Sequence, residues 1–414
     1  MISTLYLSRN GLLEPLGQSQ VMAYLHGLSR EYRITLITYE KDADWADEGR
    51  VARARAECER LGIRWLPQRF RARPKIIAAA LSTLGMAWIA LREVRAQKVR
   101  LIHARSYLPA AVALRVGRMT GVPFIFDMRA LWPEELITAG RVRRGSVLHR
   151  GLVAMERACL RGAAAVVSLT HAAVPHLNRL YPREMRGQRV VVIPTCADLK
   201  RFAPADHPPA RLVIGCLGTL LSGWFRLEWL GLFLAAAASR DANVAFDLTT
   251  RDDPVRVRAA LDPDGQLGAR LRIAPAASED VHLVLQQQSA SVMFYAGGEI
   301  SELGRSPTRM AEILGCGLPV VANEGVGDVA RIIRDYRVGV LVAGPDARSM
   351  ETAWNELKEL LLDPELAMRC RHAAEEVFSL EGGAAAYASL YDTILGEQPR
   401  GADAGRSSGS CEAA

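Results

Sequence analysis

The chain has 414 residues, of which 50% are hydrophobic and 23% are charged, and its formal net charge at pH 7 is +7. This chain is longer than an ordinary domain with a single hydrophobic core, so two domains are expected. The composition excludes a largely disordered protein. Aromatic residues make up only 6% of the chain and are not interleaved with basic residues. That pattern argues against a nucleic-acid-binding protein.

Cysteine usage and the N-terminal sequence narrow the expected environment. The seven cysteines are odd in number, and no pair has the spacing of metal ligands. We therefore expect reduced thiols, without a disulfide framework or a zinc site. The first residues, MISTLYLSRN, do not combine a basic segment with a long apolar one, so no signal peptide is predicted. A cytoplasmic protein is expected.

Short apolar runs alternate with stretches long enough for helices along the whole chain. The predicted strands of the first half are 2–8, 34–38, 99–103, 122–127, 164–168 and 190–193. Those of the second half are 212–217, 244–248, 271–273, 290–294, 319–322 and 339–342. Such alternation predicts an α/β protein with two doubly wound domains of parallel strands. Periodicity stops in the proline- and charge-rich segment 193–210, which divides the chain into domains 1–195 and 196–382.

A glycine-containing turn, SRNGLLEPLGQSQV at 8–21, follows the first predicted strand. Gly17 allows a ligand to approach the backbone, and Gln18 stands at the start of a helix, whose N-terminus favours an anion. The turn lacks the full dinucleotide-binding fingerprint, so a nicotinamide site is not supported.

Two predicted strands end in polar residues that should lie at the same edge of the sheet. One ends in His103, Arg105 and Ser106, and the next ends in Asp127 and Arg129. The carboxyl ends of parallel strands face the ligand crevice, which makes these residues candidates for a site. The plainer alternatives are a structural histidine and an aspartate that caps a helix or pairs with Arg129, because a buried unpaired charge is costly.

An uncharged segment, 76–91, stands between two basic clusters. It is shorter than the roughly twenty residues that a membrane-spanning helix needs. One interpretation is a buried helix of the first domain with solvated basic ends. The other is an interfacial helix that docks on anionic lipid, with Trp88 at the headgroup level. The run RVRRGSVLHR at 141–150 is either an extension of that surface or a solvated loop. The clusters comprise Arg69, Arg71, Arg73 and Lys75 before the segment, and Arg92, Arg95, Lys98 and Arg100 after it.

The most informative segment is SPTRMAEILGCGLPVVANEGVGD at 306–328. Ser306 is a predicted N-cap with Pro307 at the first helical position. Thr308 and Glu312 share one helix face, and Arg309 adds a positive charge to the N-terminal end, which already favours anions. A phosphate joined to a sugar diol fits this arrangement, so the segment indicates a nucleoside diphosphate site. The alternative is an ordinary helix and strand of a parallel sheet.

This segment resembles the donor-binding element of retaining GT-B glycosyltransferases of family 4, and most closely the bacterial branch with SPTK-AEYLACGLPV followed by N-GVGD. The strings EPLGQSQV, HARSY, PFIFDMR and VVSLTHAAV resemble the same branch, as do Pro194, Asp198 and Phe202 at the join. The resemblance implies two Rossmann-like domains facing a cleft, with a C-terminal helix at about 383–396 that crosses back onto the first domain. It also implies metal-independent transfer of a sugar from a nucleotide-sugar to a glycan or lipid-linked acceptor, in the synthesis of a surface polysaccharide or glycolipid.

The resemblance carries over to particular positions. The residues predicted to be catalytic are His103, Asp127 and Arg129. Those predicted to bind the sugar donor are Gly17, Gln18, Gly218, Thr219, Arg226, Ser306, Thr308, Arg309 and Glu312. Those predicted on the acceptor side are Arg105, Ser106, Thr170 and His171.

The chain also departs from the family pattern. Many members place an arginine and a lysine after the first strand of the second domain, whereas LGTLLSGWFRLEW here offers only Arg226. Arg226 and Arg309 are therefore the cations expected at the diphosphate. Glu312 fits the second glutamate of a Glu-x7-Glu pair, but the first falls on Gly304, with Glu302 two residues away as a substitute. The usual RGFWADE reads RALWPEE, which leaves the acceptor open.

Three functions stay open from the sequence: a retaining glycosyltransferase, a nucleotide-sugar 2-epimerase, and a catalytically silent scaffold subunit of the same fold. No cofactor or metal is expected, and the expected partners are a nucleotide-sugar, an acceptor and an anionic membrane surface at the inner face of the membrane, with no nucleic acid. The Gly/Ser/Ala-rich segment 397–414 is predicted to be a disordered tail.

Overall fold

The structure is a computed structural model that describes residues 1–70, 75–207 and 209–397, with the side chains of 75–79 also outside the description. The predicted disorder of 397–414 therefore lies, except for its first residue, outside the described residues. Two of the predicted basic positions, Arg71 and Arg73, and the side chain of Lys75 lie outside them as well.

Strands of the first half form a parallel sheet in the order β3-β2-β1-β4-β5-β6-β7. The strands are β1 (Ile2–Ser8), β2 (Tyr32–Glu40), β3 (Arg64–Arg69), β4 (Leu101–Arg105), β5 (Phe124–Asp127), β6 (Ala165–Ser168) and β7 (Val190–Val192). The helices are α1 (Pro15–Gly17), α2 (Ala23–Leu28), α3 (Asp42–Trp45), α4 (Glu48–Arg60), α5 (Lys75–Ala96), α6 (Tyr107–Thr120), α7 (Trp132–Thr138), α8 (Val147–Gly162) and α9 (Ala173–Leu180). A π-helical turn, Gln18–Met22, joins α1 to α2.

The second half repeats this design with a parallel sheet in the order β10-β9-β8-β11-β12-β13. Its strands are β8 (Val213–Leu217), β9 (Ala245–Thr249), β10 (Leu271–Ala274), β11 (Ala290–Met293), β12 (Val320–Asn323) and β13 (Gly339–Val342). Its helices are α10 (Leu227–Arg240), α11 (Pro254–Leu261), α12 (Val281–Leu285), α13 (Thr308–Gly315), α14 (Val329–Tyr336), α15 (Ala347–Leu360) and α16 (Leu366–Phe378). Short 3-10 turns occupy Gly268–Arg270 and Ile300–Gly304.

All predicted strands are present, with small shifts at their ends, and the sheets are separate, as the two-domain prediction requires. The strand that the sequence did not predict is β3. It forms the edge of the first sheet, pairs only with β2 among the described strands, and includes Pro67. Proline is tolerated on an edge strand because its missing N–H can face away from the ladder.

The chain crosses between the domains twice, and the two crossings run side by side. Ala197 donates its amide to the Phe378 carbonyl, and Leu380 donates its amide to the Ala197 carbonyl, so residues 197 and 379 form a parallel bridge. After the second crossing the last helix, α17 (Leu380–Gly396), packs on the first domain. The predicted return of the C-terminal helix is thus present, beginning a few residues earlier than expected because Ser379 caps it through the Gly382 amide.

Close packing explains the position of α17. A side chain on Gly27 of α2 would meet the Ala384 Cβ atom at 2.7 Å, so the glycine lets the two helices approach. The Tyr32 hydroxyl donates to Asp392 at 2.5 Å, which fixes the outer end of α17. Tyr387, Leu390 and Tyr391 are buried in the first domain's core.

Helix α5 has one buried and one exposed apolar face within its described side chains. Met86, Ala90 and Val94 belong to the core of the first domain. Leu81, Leu84 and Trp88 are 54%, 68% and 63% exposed. The interpretation of a buried helix of the first domain thus holds for one face of α5 and fails for the other. Across residues 1–70, 75–207 and 209–397, no helix has both the length and the apolarity needed to cross a bilayer.

Candidate active site

Helix α13 begins at the cleft between the domains. Its first residue is Thr308, with Pro307 at the cap position, and no described side chain caps its first turn. The predicted cap, Ser306, instead accepts a hydrogen bond from the Thr195 amide at 3.0 Å, so that prediction is wrong. Because the serine hydroxyl is committed to the domain join, the first amides of α13 remain available to an anion.

The rest of α13 folds as its sequence pattern predicts. Met310, Ile313 and Leu314 are buried in the core of the second domain. The chain then reverses at Gly317, whose φ of 75° suits glycine. The helix is thereby anchored on its apolar face, and its N-terminus is held at the cleft.

Glu312 lies one turn inside α13 and is paired within the helix. It is only 8% exposed, and it accepts a hydrogen bond from the Arg309 guanidinium. Burial raises the pKa of Glu312, and the positive charge of Arg309 opposes that rise. Both side chains line the cleft, so Glu312 is able to accept hydrogen bonds from ligand hydroxyls there and Arg309 is able to pair with an anion.

The cleft has a volume of about 2170 Å³. Single small-molecule pockets usually measure roughly 300–1,000 Å³, so this cleft has room for two substrates. Gln18 and Ser19 line it from the first domain, and Gly218, Thr219 and Thr308 line it from the second. Most of the predicted sugar-donor residues are thus brought together across one gap.

Gly17 plays a different part from the one predicted. A Cβ atom at this position would come within 2.1 Å of the Gly11 carbonyl oxygen. The glycine is therefore needed so that α1 can pack on its own preceding loop, and it is not among the described residues that line the cleft. Gly218 differs, since its φ is 132° and a Cβ there would meet open space.

Arg226 does not line the cleft in the described part of the chain, which contradicts its expected role at a diphosphate. Its amide donates to the Phe294 carbonyl at the start of α10. Arg305, which the sequence reasoning missed, does line the cleft and lies over the rings of Trp224 and Tyr295, at 5.1 and 5.5 Å from their centroids. Its position directly before Ser306 was the available signal.

Glu302 does not substitute for the missing first glutamate. It is fully buried and accepts two hydrogen bonds from Arg305, at 2.5 and 2.8 Å. A Cβ on Gly304 would approach Leu131 of the first domain at 3.0 Å. The position where the family has a carboxylate is therefore closed by the RALWPEE segment.

Gln20 connects the two domains beside the cleft, at the cleft-lining residue Thr308. Its Nε2 atom donates to Thr308 Oγ1 at 2.9 Å. Its Oε1 atom accepts from Arg105 at 3.1 Å and from Arg129 at 2.7 Å. The sequence offered no signal for this contact, because 288 positions separate Gln20 from Thr308.

His103 and Asp127 lie beneath α17 and are each 1% exposed. His103 Nδ1 is 2.8 Å from the Tyr391 hydroxyl, and its Nε2 is 3.4 Å from Asp127. The Tyr387 hydroxyl donates to Asp127 at 3.2 Å. Burial lowers the pKa of His103, so its neutral form is favoured. As they lie, these two predicted catalytic residues hold α17 and do not line the cleft.

Two residues at the strand ends adopt left-handed backbone angles. Ser106, after β4, has a φ of 76°, and Arg129, after β5, has a φ of 62°. Ser106 also donates its amide to the Asp127 carbonyl at 2.7 Å. Non-glycine residues in this region carry a backbone cost and cluster at functional sites.

Thr170 and His171 meet the second domain at a separate seam. Asp328 accepts hydrogen bonds from the amides of His171, at 2.7 Å, and Ala172, at 3.0 Å. Thr170 donates its hydroxyl to the Leu303 carbonyl. These two of the four predicted acceptor-side residues line a cavity of about 280 Å³, which shares Arg305, Ser306 and Pro307 with the large cleft.

Comparison with known proteins bears on this arrangement. Residues 17–196 match the family model of the glycosyl transferase 4-like domain. D-inositol 3-phosphate glycosyltransferase from Arthrobacter sp. is 26% identical over 281 residues, covering 64% of this chain and 62% of that protein. The protein of that name from Frankia alni is 27% identical over 296 residues, covering 64% of this chain and 66% of that protein. The chain thus matches slightly less than two thirds of these relatives' lengths.

Solved structures match over nearly the whole chain. Sucrose-phosphate synthase from Thermosynechococcus elongatus has a TM-score of 0.68 at 15% identity, covering 96% of this chain and all of that one. Anabaena HepE, solved with UDP and glucose, has a TM-score of 0.65 at 16% identity, covering 95% of this chain and all of that one. The fold is therefore GT-B: two Rossmann-like domains that face a cleft.

Proposed function

We propose that the protein is a retaining glycosyltransferase that moves a sugar from a nucleotide-sugar to a glycan or lipid-linked acceptor. The observation that carries this proposal is the uncapped N-terminus of α13, which opens into the cleft with Thr308 and Glu312 beside it. The glycosyl transferase 4-like domain and the curated relatives support the transferase class. The complex of HepE with UDP-glucose supports a nucleotide-sugar as substrate.

The chemistry needs stabilised charge more than a strong nucleophile. The bond between the sugar's anomeric carbon and the diphosphate breaks, and the acceptor oxygen bonds to that carbon on the same face. The acceptor's proton passes to the departing phosphate oxygen. Charge that develops on the diphosphate would be stabilised by the first amides of α13 and by Arg309, with Arg305 nearby. We expect this without a metal ion.

We also propose that the protein belongs to the family branch that builds surface polysaccharide or glycolipid, and the resemblance of its SPTR and GVGD strings to that branch supports this proposal. Asp328 of GVGD joins the second domain to His171 and Ala172 of the first. The motif would therefore keep the domains in register around the substrates.

We further propose that the first domain docks on an anionic membrane surface. Leu81, Leu84 and Trp88 form an exposed stripe on α5, and the guanidinium of Arg92 lies 5.2 Å from the Trp88 ring centroid. A second exposed apolar pair, Val147 and Leu148, begins α8. Arginines surround that pair in the sequence and are exposed: Arg141, Arg143, Arg144 and Arg150. Exposed apolar residues with a cationic rim fit an interface of anionic lipid headgroups.

A silent scaffold subunit is the second candidate, and one observation favours it. Gly304 occupies the position of a family carboxylate, and Glu302 is buried with Arg305. The sugar of the donor would then lack one hydrogen-bond acceptor.

A panel of nucleotide-sugars separates these functions. The protein is incubated with each donor, with and without EDTA and with membrane extract as acceptor source. Acceptor-dependent release of free nucleotide that EDTA leaves unchanged supports the proposed transfer. Conversion of the donor sugar to its C2 epimer indicates an epimerase, and a lack of binding to every nucleotide indicates the silent subunit.

Glu312→Ala tests the assignment of the sugar-donor site. We expect nucleoside diphosphate binding, measured by calorimetry, to weaken about 10- to 100-fold, because a hydrogen bond to a charged group contributes about 1.5–3 kcal/mol. The matched control is Glu375→Ala, which removes an Arg–Glu pair within helix α16 of the same domain. Unchanged affinity in Glu312→Ala would refute the assignment.

A further inference from the structure

The contacts of Gln20 define a small site that we call the anion seat. It is bounded by one nitrogen of Arg105, one nitrogen of Arg129 and the hydroxyl of Thr308. The carboxamide of Gln20 fills it, and Gln20 is 5% exposed. Two guanidinium groups therefore share one neutral carbonyl oxygen.

The seat has more positive than negative charge. Arg105 and Arg129 are both largely buried, and Asp127 is the carboxylate next to them, 3.9 Å from Arg129. Although burial alone would raise the pKa of Asp127, Arg129 and His103 bring it below its usual value, so the carboxylate is ionised. Burial raises the pKa of each neighbouring phenol and lowers that of His103, so these groups are neutral: Tyr6, Tyr24, Tyr387 and His103.

One buried donor without a partner agrees with that excess, although one acceptor beside it also has no partner. Arg105 Nε and Asp127 Oδ1 are buried without a hydrogen-bond partner among the described residues. Burial, together with the nearby positive charge of Arg129, lowers the pKa of the Arg105 guanidinium. A buried cation with an unused donor indicates a site that can take another acceptor.

We propose that the carboxamide of Gln20 holds the place of a phosphate oxygen, which displaces it from Arg105 and Arg129 when the phosphate-bearing substrate binds. An anionic oxygen forms stronger hydrogen bonds with two guanidinium groups than a neutral carbonyl does. Thr308 brings the seat next to the N-terminus of α13, where the diphosphate of the nucleotide-sugar is placed under the proposed function. This inference rests on that function for the identity of the ligand.

The segment that carries Gln20 is suited to such a displacement. Gln20 stands in the middle of the π-helical turn Gln18–Met22. Turns of this kind are rare and occur frequently at functional sites. Its neighbours Gln18 and Ser19 line the cleft, so a ligand that enters the cleft comes close to the anion seat.

Two substitutions at one position give opposite expectations. Gln20→Glu places a permanent carboxylate in the seat, so it should raise the melting temperature and weaken nucleoside diphosphate binding at least tenfold. Gln20→Ala empties the seat, so binding should be equal or tighter. UDP, GDP and ADP are titrated by calorimetry, and Gln287→Glu, an exposed residue of the second domain, controls for the added charge.

The outcomes separate the source of the phosphate. If Gln20→Glu binds nucleoside diphosphate as the wild type does, the donor is not the source. Inorganic phosphate is then titrated into protein saturated with nucleoside diphosphate. If the wild type binds this phosphate and Gln20→Glu does not, the anion seat is assigned to a phosphorylated acceptor. Insensitivity of both ligands to Gln20→Glu overturns the proposal.

If the wild type binds none of the three nucleotides, the proposed function fails for these bases. Inorganic phosphate alone then tests the seat: loss of phosphate binding in Gln20→Glu supports it, and unchanged binding overturns it.

Discussion

Asp328→Ala should loosen the contact between the two domains at a defined place. The Asp328 carboxylate of the second domain accepts hydrogen bonds from two amides of the first, at His171 and Ala172. These amides precede α9, so Asp328 acts there much as a capping residue does, but from the other domain. Its removal leaves both amides to water.

The expected magnitude follows from the size of a capping effect. Losing a capping side chain costs about 0.5–2 kcal/mol, and two charge-assisted bonds place this site in the upper half of that range. A change of about 1–2 kcal/mol corresponds to a roughly 5- to 30-fold larger population of the separated arrangement. Hydrogen exchange of residues 171 and 172, followed by NMR or mass spectrometry, should accelerate by that factor.

The control for this experiment is Asp335→Ala. Asp335 lies on α14, the helix that directly follows Asp328, and its carboxylate is 3.9 Å from Arg331 of that helix. Exchange at 171 and 172 should stay at the wild-type rate in this variant. Equal acceleration in both variants, or none in Asp328→Ala, would refute the reasoning.

Two further predictions concern the membrane surface and the buried histidine. Replacing Leu84 and Trp88 by Glu should reduce flotation with anionic vesicles. The control Leu362→Glu, which changes an 82% exposed leucine of the second domain, should leave flotation unchanged. Flotation that is altered neither by salt nor by the α5 variant would contradict docking. The neutral state of His103 should make stability pH-dependent, because its pKa in the folded chain lies below the ordinary value of 6.5. The unfolded chain then binds the proton more readily, so the free energy of unfolding falls as the pH drops below about 6.5. His103→Gln should lose less stability than the wild type between pH 7.5 and 5.5 in urea titrations, and equal losses would contradict the neutral assignment.

The architecture could be predicted from the sequence because it depends on local patterns of hydrophobic residues. Apolar strands buried on both faces give continuous hydrophobic runs, and these predicted the strands of both sheets. β3 was not predicted, because RWLPQR is an edge strand with partly exposed residues and no apolar run. The start of α13 was misplaced by one residue because Ser306 is used by Thr195, a contact that no local pattern encodes.

The site was only partly accessible for the same reason. The motif at 306–328 predicted that Thr308 and Glu312 share one helix face, since helix spacing determines it, and that Arg309 adds its charge at the N-terminal end. The grouping of Gln20 with Arg105, Arg129 and Thr308 depends on how two domains meet. His103 and Asp127 illustrate the limit most clearly, because strand ends predict proximity to a crevice but not the helix that covers them.

The paired crossings at Ala197 and Ser379 restrict how the halves of the molecule can move. These two chain segments are joined by two backbone hydrogen bonds, so we expect them to bend together more readily than they twist about each other. We therefore expect the two domains to move relative to each other by a hinge rotation about a single axis. Since α17 starts directly at that pivot and ends against the first domain, each swing must be absorbed within the few residues around Ser379.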